Sequence, residues 1–454
     1  MPSSFDALRS RLAFPESLKT DLSNWETYSH DATEYQSQAG AVLLAESKED
    51  IIAAVKFCRE HAIPIVPRGA GTGLSGGCIA SSNSLIISTE RLTRLDINTH
   101  TMTGICGPGV FTKTLQDAAA SKGLCYPPDP ASYTEASIGG NVAEGAGGLR
   151  CKRFGVTKDY VIGLEAVTSN GEILRTGIFS EGGGFNLGDV LIASEGTLAI
   201  ITEIAVRLIP AIQGSGATIL VSFDDPRHAA QTVSDITASG MIPNVLEYLD
   251  GDAAECSNKY AATEGLGSAA AILLVETTER DVETQIQTIR SICEKNHYSF
   301  LRIESDPSKA ETLWKIRRNL SKAIKAMAAY RVSEDVAVPN TKFPELVEFV
   351  GEMNRKSPLR INAFGHAGDG NLHVYFVSDT GSEADRRLIE KGVEQLMRKT
   401  IDLGGTLTGE HGVGLAKRRY LPLEFDPATL RAMRAIKGVF DPESLLNPGK
   451  LFPD

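Results

Sequence analysis

Pro67-Arg-Gly-Ala-Gly-Thr-Gly-Leu-Ser-Gly-Gly77 is the stretch on which the reading of this chain turns. Glycines let successive backbone N–H groups turn inward and approach a phosphate with no Cβ in the way. Gly71, Gly73 and Gly76 satisfy the spacing G-x-G-x-x-G, and Asp96 stands twenty residues beyond Gly76. That spacing invites a dinucleotide-binding βαβ unit, which needs a helix directly after the loop to hold the pyrophosphate. Here Cys78–Asn83 offers small and polar residues, followed by the strand-like Leu85-Ile-Ile-Ser88. The context disfavours a nicotinamide site and leaves the loop itself as the cradle.

Two more Gly-rich stretches lie downstream. Ser137-Ile-Gly-Gly-Asn-Val-Ala-Glu-Gly-Ala-Gly-Gly148 follows Pro127-Pro-Asp-Pro130, and Ser194-Glu-Gly-Thr-Leu-Ala-Ile-Ile201 comes third. Any one of them alone reads as a tight turn. Three together fit a large, flat, diphosphate-bearing cofactor that touches the backbone at several separated places.

Around these loops the pattern predicts strands at Ala41–Leu44, Ile63–Pro67, Ser84–Ser88, Leu95–Asn98, Met102–Gly107 and Tyr160–Ser169, with a helix over Lys48–His61. This is a mixed α+β domain and no regular βαβ array. Near Arg207–Gly216 the composition changes, and Pro210 with two glycines marks a boundary. Beyond it, Ala269–Glu276, Arg360–Gly365 and Leu372–Val377 read as strands and Asp281–Asn296 as an amphipathic helix. A second helix, Lys309–Tyr330, carries Leu313, Ile316, Leu320, Ile324 and Met327 on one stripe. No fixed-period repeat or low-complexity segment appears.

Size and charge bound the function. At roughly 100–200 residues per domain, the 454 residues make two to four domains. The net charge of −11, from 57 acidic and 46 basic residues without a dense Lys/Arg run, argues against nucleic acid. The longest apolar runs, such as Ala269–Val275, fall well short of the ~20 residues of a membrane-spanning helix. The first twenty residues lack the basic-then-apolar order of a signal peptide. Seven scattered cysteines without a Cys-x-x-Cys pair argue against an iron–sulfur or Cys-rich zinc site and fit reduced thiols in a cytoplasm. Electrons taken up by such a protein leave through a partner or a diffusible acceptor.

A separate constellation lies in the second half. Phe364-Gly-His-Ala-Gly-Asp-Gly-Asn-Leu-His373 sits between two strand-like runs, so a tight hairpin places His366 and His373 on neighbouring arms. Thr408-Gly-Glu-His-Gly-Val-Gly414 follows a predicted helix over Asp385–Leu403. Two His and a carboxylate leave an open position on a divalent metal, as catalysis requires. Asp369 could equally supply that carboxylate or only shape the turn, and a lone His beside a turn is commonly a surface residue. Three of the eight histidines nevertheless fall in these two segments. No His-Glu-x-x-His helix is present, which disfavours a zincin protease.

Over roughly residues 35–452 the chain resembles the vanillyl-alcohol oxidase and p-cresol methylhydroxylase family of FAD enzymes. Within it, the similarity is greatest to the branch of glycolate oxidase FAD-linked subunits, D-lactate dehydrogenases and D-2-hydroxyglutarate dehydrogenases. The resemblance rests on the three glycine loops, Gly365-His-Ala-Gly-Asp-Gly-Asn-Leu-His373, Gly409-Glu-His-Gly412 and the closing Leu446-Asn-Pro-Gly-Lys450. It implies an α+β fold: a two-subdomain FAD-binding domain over 1–212, a substrate or cap domain with an antiparallel sheet over 213–409, and a C-terminal segment, 410–454, packed back on the FAD domain.

The resemblance also implies roles. Arg68, Gly69, Ala70, Gly71, Thr72, Gly73, Leu74, Ser75 and Gly76 would wrap the pyrophosphate. Pro130, Ser137, Gly139, Gly140, Asn141, Gly145 and Gly148 would line the flavin, Glu195, Gly196, Ile200 and Ile201 would meet the adenosine end, and Asn447 would lie near the flavin. Some members attach flavin through a histidine in the first loop; this loop has none, so FAD is expected to be non-covalent. Ala199 stands where the family usually has Gly. His366, His373 and Glu410 would bind a metal, zinc by family likeness, with His411 as the base that takes the substrate hydroxyl proton while hydride passes to the flavin.

Arg317, with Ser321 one turn on, would hold the substrate carboxylate. The alternative is that Arg317 and Arg318 form a pair on a solvated helix face. Ser333 and Tyr375 replace a Lys and an Asn of the D-2-hydroxyglutarate enzymes, which favours D-lactate or glycolate as the small D-2-hydroxy acid. The expected acceptor is a quinone, an iron–sulfur subunit or an electron-transfer flavoprotein. A homodimer, attachment at the inner face of the membrane, and an idle flavin-bearing subunit of a larger complex stay open.

Overall fold

A computed structural model of the chain describes residues 5–180, 185–214, 216–260 and 269–453; Ser215, inside the compositional boundary, lies outside them. The residues divide into two units. Met1–Gly147, Gly155–Ile212 and Glu410–Asp454 form the first, and Gly148–Phe154 with Gln213–Gly409 form the second. No helix among the described residues is long and apolar enough to cross a membrane.

The first unit holds two main sheets. Its helix Lys48–Glu60 starts where Ser47 accepts a hydrogen bond from the amide of Asp50 at 3.2 Å, a cap worth about 1 kcal/mol. Ile51, Ala54, Val55 and Cys58 then recur at i, i+3, i+4 and i+7 and are fully buried. Each large aliphatic so placed contributes about 1.5–3 kcal/mol. The helix packs on the sheet ordered Leu18–Lys19, Ala41–Leu44, Leu85–Ser88, Ile65–Arg68. In this sheet the last three strands run parallel. Such strands are covered on both faces and read as apolar runs, as Ala41–Leu44 does.

The second sheet is antiparallel, ordered Leu95–Asn98, Thr103–Cys106, Ala199–Arg207, Val161–Thr168, Ile173–Gly177. Leu85–Ser88 follows the first glycine loop as a strand, with no helix between them. That is the arrangement the Rossmann reading could not accommodate.

In the second unit seven strands form one sheet in the order Phe300–Glu304, Thr218–Phe223, Ala271–Glu276, Val245–Asp250, Arg360–Gly365, Asn371–Ser378, Tyr330–Ala337. Every neighbouring pair is antiparallel. The long helix Pro307–Met327 is started by Pro307 and by Asp306, which accepts from the amide of Ser308 at 2.8 Å. Its stripe of Leu313, Ile316, Leu320 and Ile324 is buried against this sheet together with Phe364 and Tyr375.

One expectation is corrected. The second glycine stretch, read as a loop, contains the helix Ile138–Glu144. Ser137 caps it by accepting from the amide of Gly140 at 3.2 Å, and Gly145 ends it in the left-handed region at φ +69°. Burial of Ile138 and Val142 offsets the low helix propensity of two glycines.

Candidate active site

In the first unit the three glycine stretches converge. An added Cβ on Gly69 would lie 2.5 Å from Ser137 Oγ, bringing the first and second stretches together. Ser75 Oγ donates to Glu144 Oε2 at 3.3 Å. The third stretch joins through Glu195, whose amide donates to the Ala143 carbonyl at 2.8 Å. The Glu195 carboxylate is buried and accepts from the amides of Val413 and Gly414, both at 2.7 Å. Burial pushes its carboxyl up to about 7, against the pull of those two amides.

The C-terminal segment is tied to the same place. Leu415 and Ala416 donate their amides to the Ser75 carbonyl at 2.8 and 3.1 Å. His411 therefore lies in a turn whose following residues are pinned to the first and third stretches. Asn447 donates through Nδ2 to the carbonyls of Gly77 and Glu195, both at 2.8 Å.

Not every anticipated contact uses its side chain in this way. Arg68 is buried and donates to the carbonyls of Thr27 and His30 at 2.8 and 2.9 Å, so it braces the backbone before the loop. Asn141 spends its amide on Thr112 Oγ1 at 2.7 Å. Pro130 is buried, with its carbonyl accepting from Tyr133. The side chains of Ile200 and Ile201 go to hydrophobic cores. Gly148 falls in the second unit. These side chains are engaged by neighbouring protein, which leaves backbone groups as the main contacts for a cofactor, as a cradle built on glycine demands.

Two observations test whether the unit fits FAD. A Cβ on Gly73 would meet nothing within 4 Å, so this half-buried position of the first loop faces open space. Asn447 Oδ1 is buried with no hydrogen-bond partner among the described residues, a vacancy that a polar ligand group satisfies. The residues fit.

The second unit builds a different kind of site. His366 leaves the strand Arg360–Gly365, the turn Ala367–Asp369 follows, and Gly370 at φ +72° returns the chain into Asn371–Ser378. Phe364 faces His373 across this hairpin. The imidazoles of His366 and His373 meet edge to face with centroids 5.2 Å apart, both buried. Glu410 is joined to Gly409, the last residue of this unit. One ligand atom from each of His366, His373 and Glu410 lies within 4.8 Å of the others. Asp369 is exposed in the turn and outside this group. Two imidazoles and a carboxylate, mostly buried, form a donor set suited to zinc.

Arg317 lies on the buried stripe, 5% exposed, while Arg318 points outward to Glu311. The solvated-pair alternative is thereby overturned for Arg317, because the helix turns it toward the sheet. Its guanidinium stands over the Phe364 ring, 4.9 Å from the centroid, and its Nε donates to Glu247 Oε2. Ser321, one turn on, lies 3.4 Å from the hydroxyl of Tyr375, whose ring stacks on Phe364 at 5.2 Å.

Glu247 was not anticipated. It is fully buried on Val245–Asp250, and its Oε1 accepts from His366 Nδ1 at 2.6 Å. Burial alone would push its carboxyl up. The charges of His366 and Arg317 and their hydrogen bonds outweigh that and hold it below the usual carboxylate range. In sequence only a lone Glu within the apolar run Val245-Leu-Glu-Tyr-Leu249 hinted at it.

The model of the FAD binding domain family matches residues 39–177, and that of the FAD linked oxidases, C-terminal domain, matches 212–451. The chain belongs to the FAD-linked oxidases. Among curated relatives of this FAD-linked oxidase, glycolate oxidase subunit GlcD of Bacillus subtilis is 38% identical, covering 96% of this chain and 94% of the relative. A D-lactate dehydrogenase of Anaerostipes hadrus is 31% identical, over 94% and 92% of the two chains. A D-2-hydroxyglutarate dehydrogenase of Stutzerimonas stutzeri is 31% identical, over 99% of each. Solved structures of p-cresol methylhydroxylase with substrate bound (16% identical) and of 4-ethylphenol oxidase from Gulosibacter chungangensis (18% identical) share the fold. Both have a TM-score of 0.80 and cover 100% of this chain and 98% of theirs. The FAD-linked oxidase is thus an FAD-dependent oxidoreductase of the branch that holds these hydroxy-acid enzymes.

Proposed function

We propose that the enzyme oxidises a small D-2-hydroxy acid, D-lactate or glycolate, to the 2-oxo acid. The observation that carries this is the buried set of His366, His373, Glu247 and Arg317, which pairs a metal donor group with a guanidinium on one sheet face. Relatives named glycolate oxidase subunit and D-lactate dehydrogenase support it.

When bound, non-covalent FAD supplies the two-electron acceptor and a divalent ion, zinc by its donors, an electrophile for the hydroxyl. The protein's own groups do the rest. His366, His373 and Glu410 hold the ion, and Arg317 grips the carboxylate with its Nη1–Nη2 edge. His411 takes the hydroxyl proton on an imidazole nitrogen. The anticipated FAD contacts keep the roles given from the resemblance, made mainly through backbone.

The aromatic wall of Phe364 and Tyr375, whose polar group is the Tyr375 hydroxyl beside Ser321, supports a short substrate over D-2-hydroxyglutarate, whose second carboxylate would need a charged partner there. None of the seven cysteines forms a disulfide, and electrons are proposed to pass to a quinone, an iron–sulfur subunit or an electron-transfer flavoprotein.

The test is the visible spectrum of zinc-supplied protein before and after anaerobic addition of D-lactate, glycolate and D-2-hydroxyglutarate in turn. Bleaching by one of the first two is expected. Bleaching by D-2-hydroxyglutarate alone would reassign the substrate. A flavin band that none of them touches would favour an electron-carrying subunit whose own substrate site is idle.

A further inference from the structure

Glu247 is joined to Arg317 across 70 residues and to His366 across 119. Each carboxylate oxygen has its own partner: Oε1 takes His366 Nδ1 and Oε2 takes Arg317 Nε. The carboxylate is fully buried, so water cannot substitute for either donor.

We propose that Glu247 is a positioning residue that presents His366 to the metal and Arg317 to the substrate carboxylate as one rigid unit, on the hydroxy-acid reading above, on which this rests. An ionised carboxylate only accepts hydrogen bonds. Nδ1 of His366 must therefore carry the proton, which leaves the Nε2 lone pair as the metal donor. On the other side, Nε of Arg317 is committed, so the guanidinium can meet an incoming carboxylate only end-on, through Nη1 and Nη2. The Phe364 ring beneath the guanidinium fixes its plane. One carboxylate thereby sets the tautomer of a metal ligand and the approach direction of the substrate clamp. Removing it would loosen both sites, although it touches neither ion nor acid.

The test compares wild type, Glu247→Gln and His373→Ala as full-length, flavin-loaded protein. A glutamine keeps the shape but presents an amide N–H to one of two donors, so one hydrogen bond is lost. Zinc affinity is read by competition with a chromogenic chelator, independently of turnover. It should fall about 10–100-fold in Glu247→Gln, and the KM for D-lactate or glycolate should stay raised at least about fivefold at saturating zinc, with flavin content unchanged. A merely structural role would lower the melting temperature or flavin content but leave zinc affinity and KM of the folded fraction in place.

Wild-type zinc affinity and KM in Glu247→Gln, with zinc binding lost in His373→Ala, would overturn this assignment and leave the proposed function standing. Zinc affinity equal and negligible in wild type and His373→Ala would overturn both. Should Glu247→Gln not fold, nitrogen-15 histidine spectra of zinc-loaded wild type decide. A proton on Nδ1 of His366, with Nε2 on the metal, supports the assignment, and metal on Nδ1 sinks it.

Discussion

The glycine cradle of the first unit and the side-chain cluster of the second are built by opposite means. The cradle uses backbone: a Cβ is absent where Gly73 faces open space, and Arg68, Asn141 and Glu195 turn their side chains to neighbouring protein. The cluster uses side-chain tips drawn from Val245–Asp250, Pro307–Met327 and the Arg360–Ser378 hairpin. A backbone site depends on local conformation and tolerates change in side chains that point away. A side-chain site depends on tertiary packing, and a single truncation strands a buried charge.

The largest separation between the two should come from His373→Ala. Loss of one imidazole should slow anaerobic bleaching by about 100-fold or more, because a metal's polarisation is worth several kcal/mol. The flavin spectrum should be unchanged. Loss of flavin in that variant would break the division between the two regions.

Gly73→Val is the converse. The Cβ of a valine there would have no protein atom beyond its chain neighbours within 4 Å, so the flavin-free chain should melt as wild type does. Against a bound cofactor the same side chain overpacks by about 1–3 kcal/mol, or roughly 5–150-fold in FAD affinity. Unchanged affinity in titrations with FAD would show that the cofactor lies elsewhere.

Arg317→Lys keeps the charge and removes the fork. The KM for the acid should rise about tenfold with FAD and zinc content intact, and a KM equal to wild type would remove Arg317 from the clamp. The smallest effect concerns Gly148–Phe154, whose Arg153 pairs with Glu279 through two contacts of 2.7 and 2.8 Å. The Arg153 hydrogen bonds hold the Glu279 carboxyl down to about 2, from an ordinary 4.5. A depressed carboxyl contributes stability above its unfolded value, and that contribution fades as pH falls between about 4.5 and 2. Urea melts of wild type and Glu279→Gln should therefore differ by about 1 kcal/mol at pH 6, after solvent screening, and converge toward pH 2. A gap that persisted there would show that the contribution is not electrostatic.

Much of the fold was legible because its signals are local. Ala41–Leu44, Leu95–Asn98 and Arg360–Gly365 lie as read: the first and last are covered and write their burial into consecutive residues, while Leu95–Asn98 alternates half-buried with exposed. The helix Ile138–Glu144 was illegible: glycines there favoured a loop, and only the capping by Ser137 and the burial of Ile138 and Val142 reversed the preference. Within the cluster, His366 and His373 were legible because one hairpin brings them together.

Sequence alone sufficed for the first and third glycine stretches, the absence of a Rossmann context, the hairpin histidines and the family motifs. Each of these spans a dozen residues or fewer, where chain geometry leaves few alternatives. Tertiary structure decided that Arg317 is buried while Arg318 is not, that Arg68 braces the chain with its side chain, and that Glu247 joins Arg317 to His366. Contacts across 70 and 119 residues leave no periodicity or spacing to read. They exist because a fully buried carboxylate must find its donors wherever the packed sheet and helix place them.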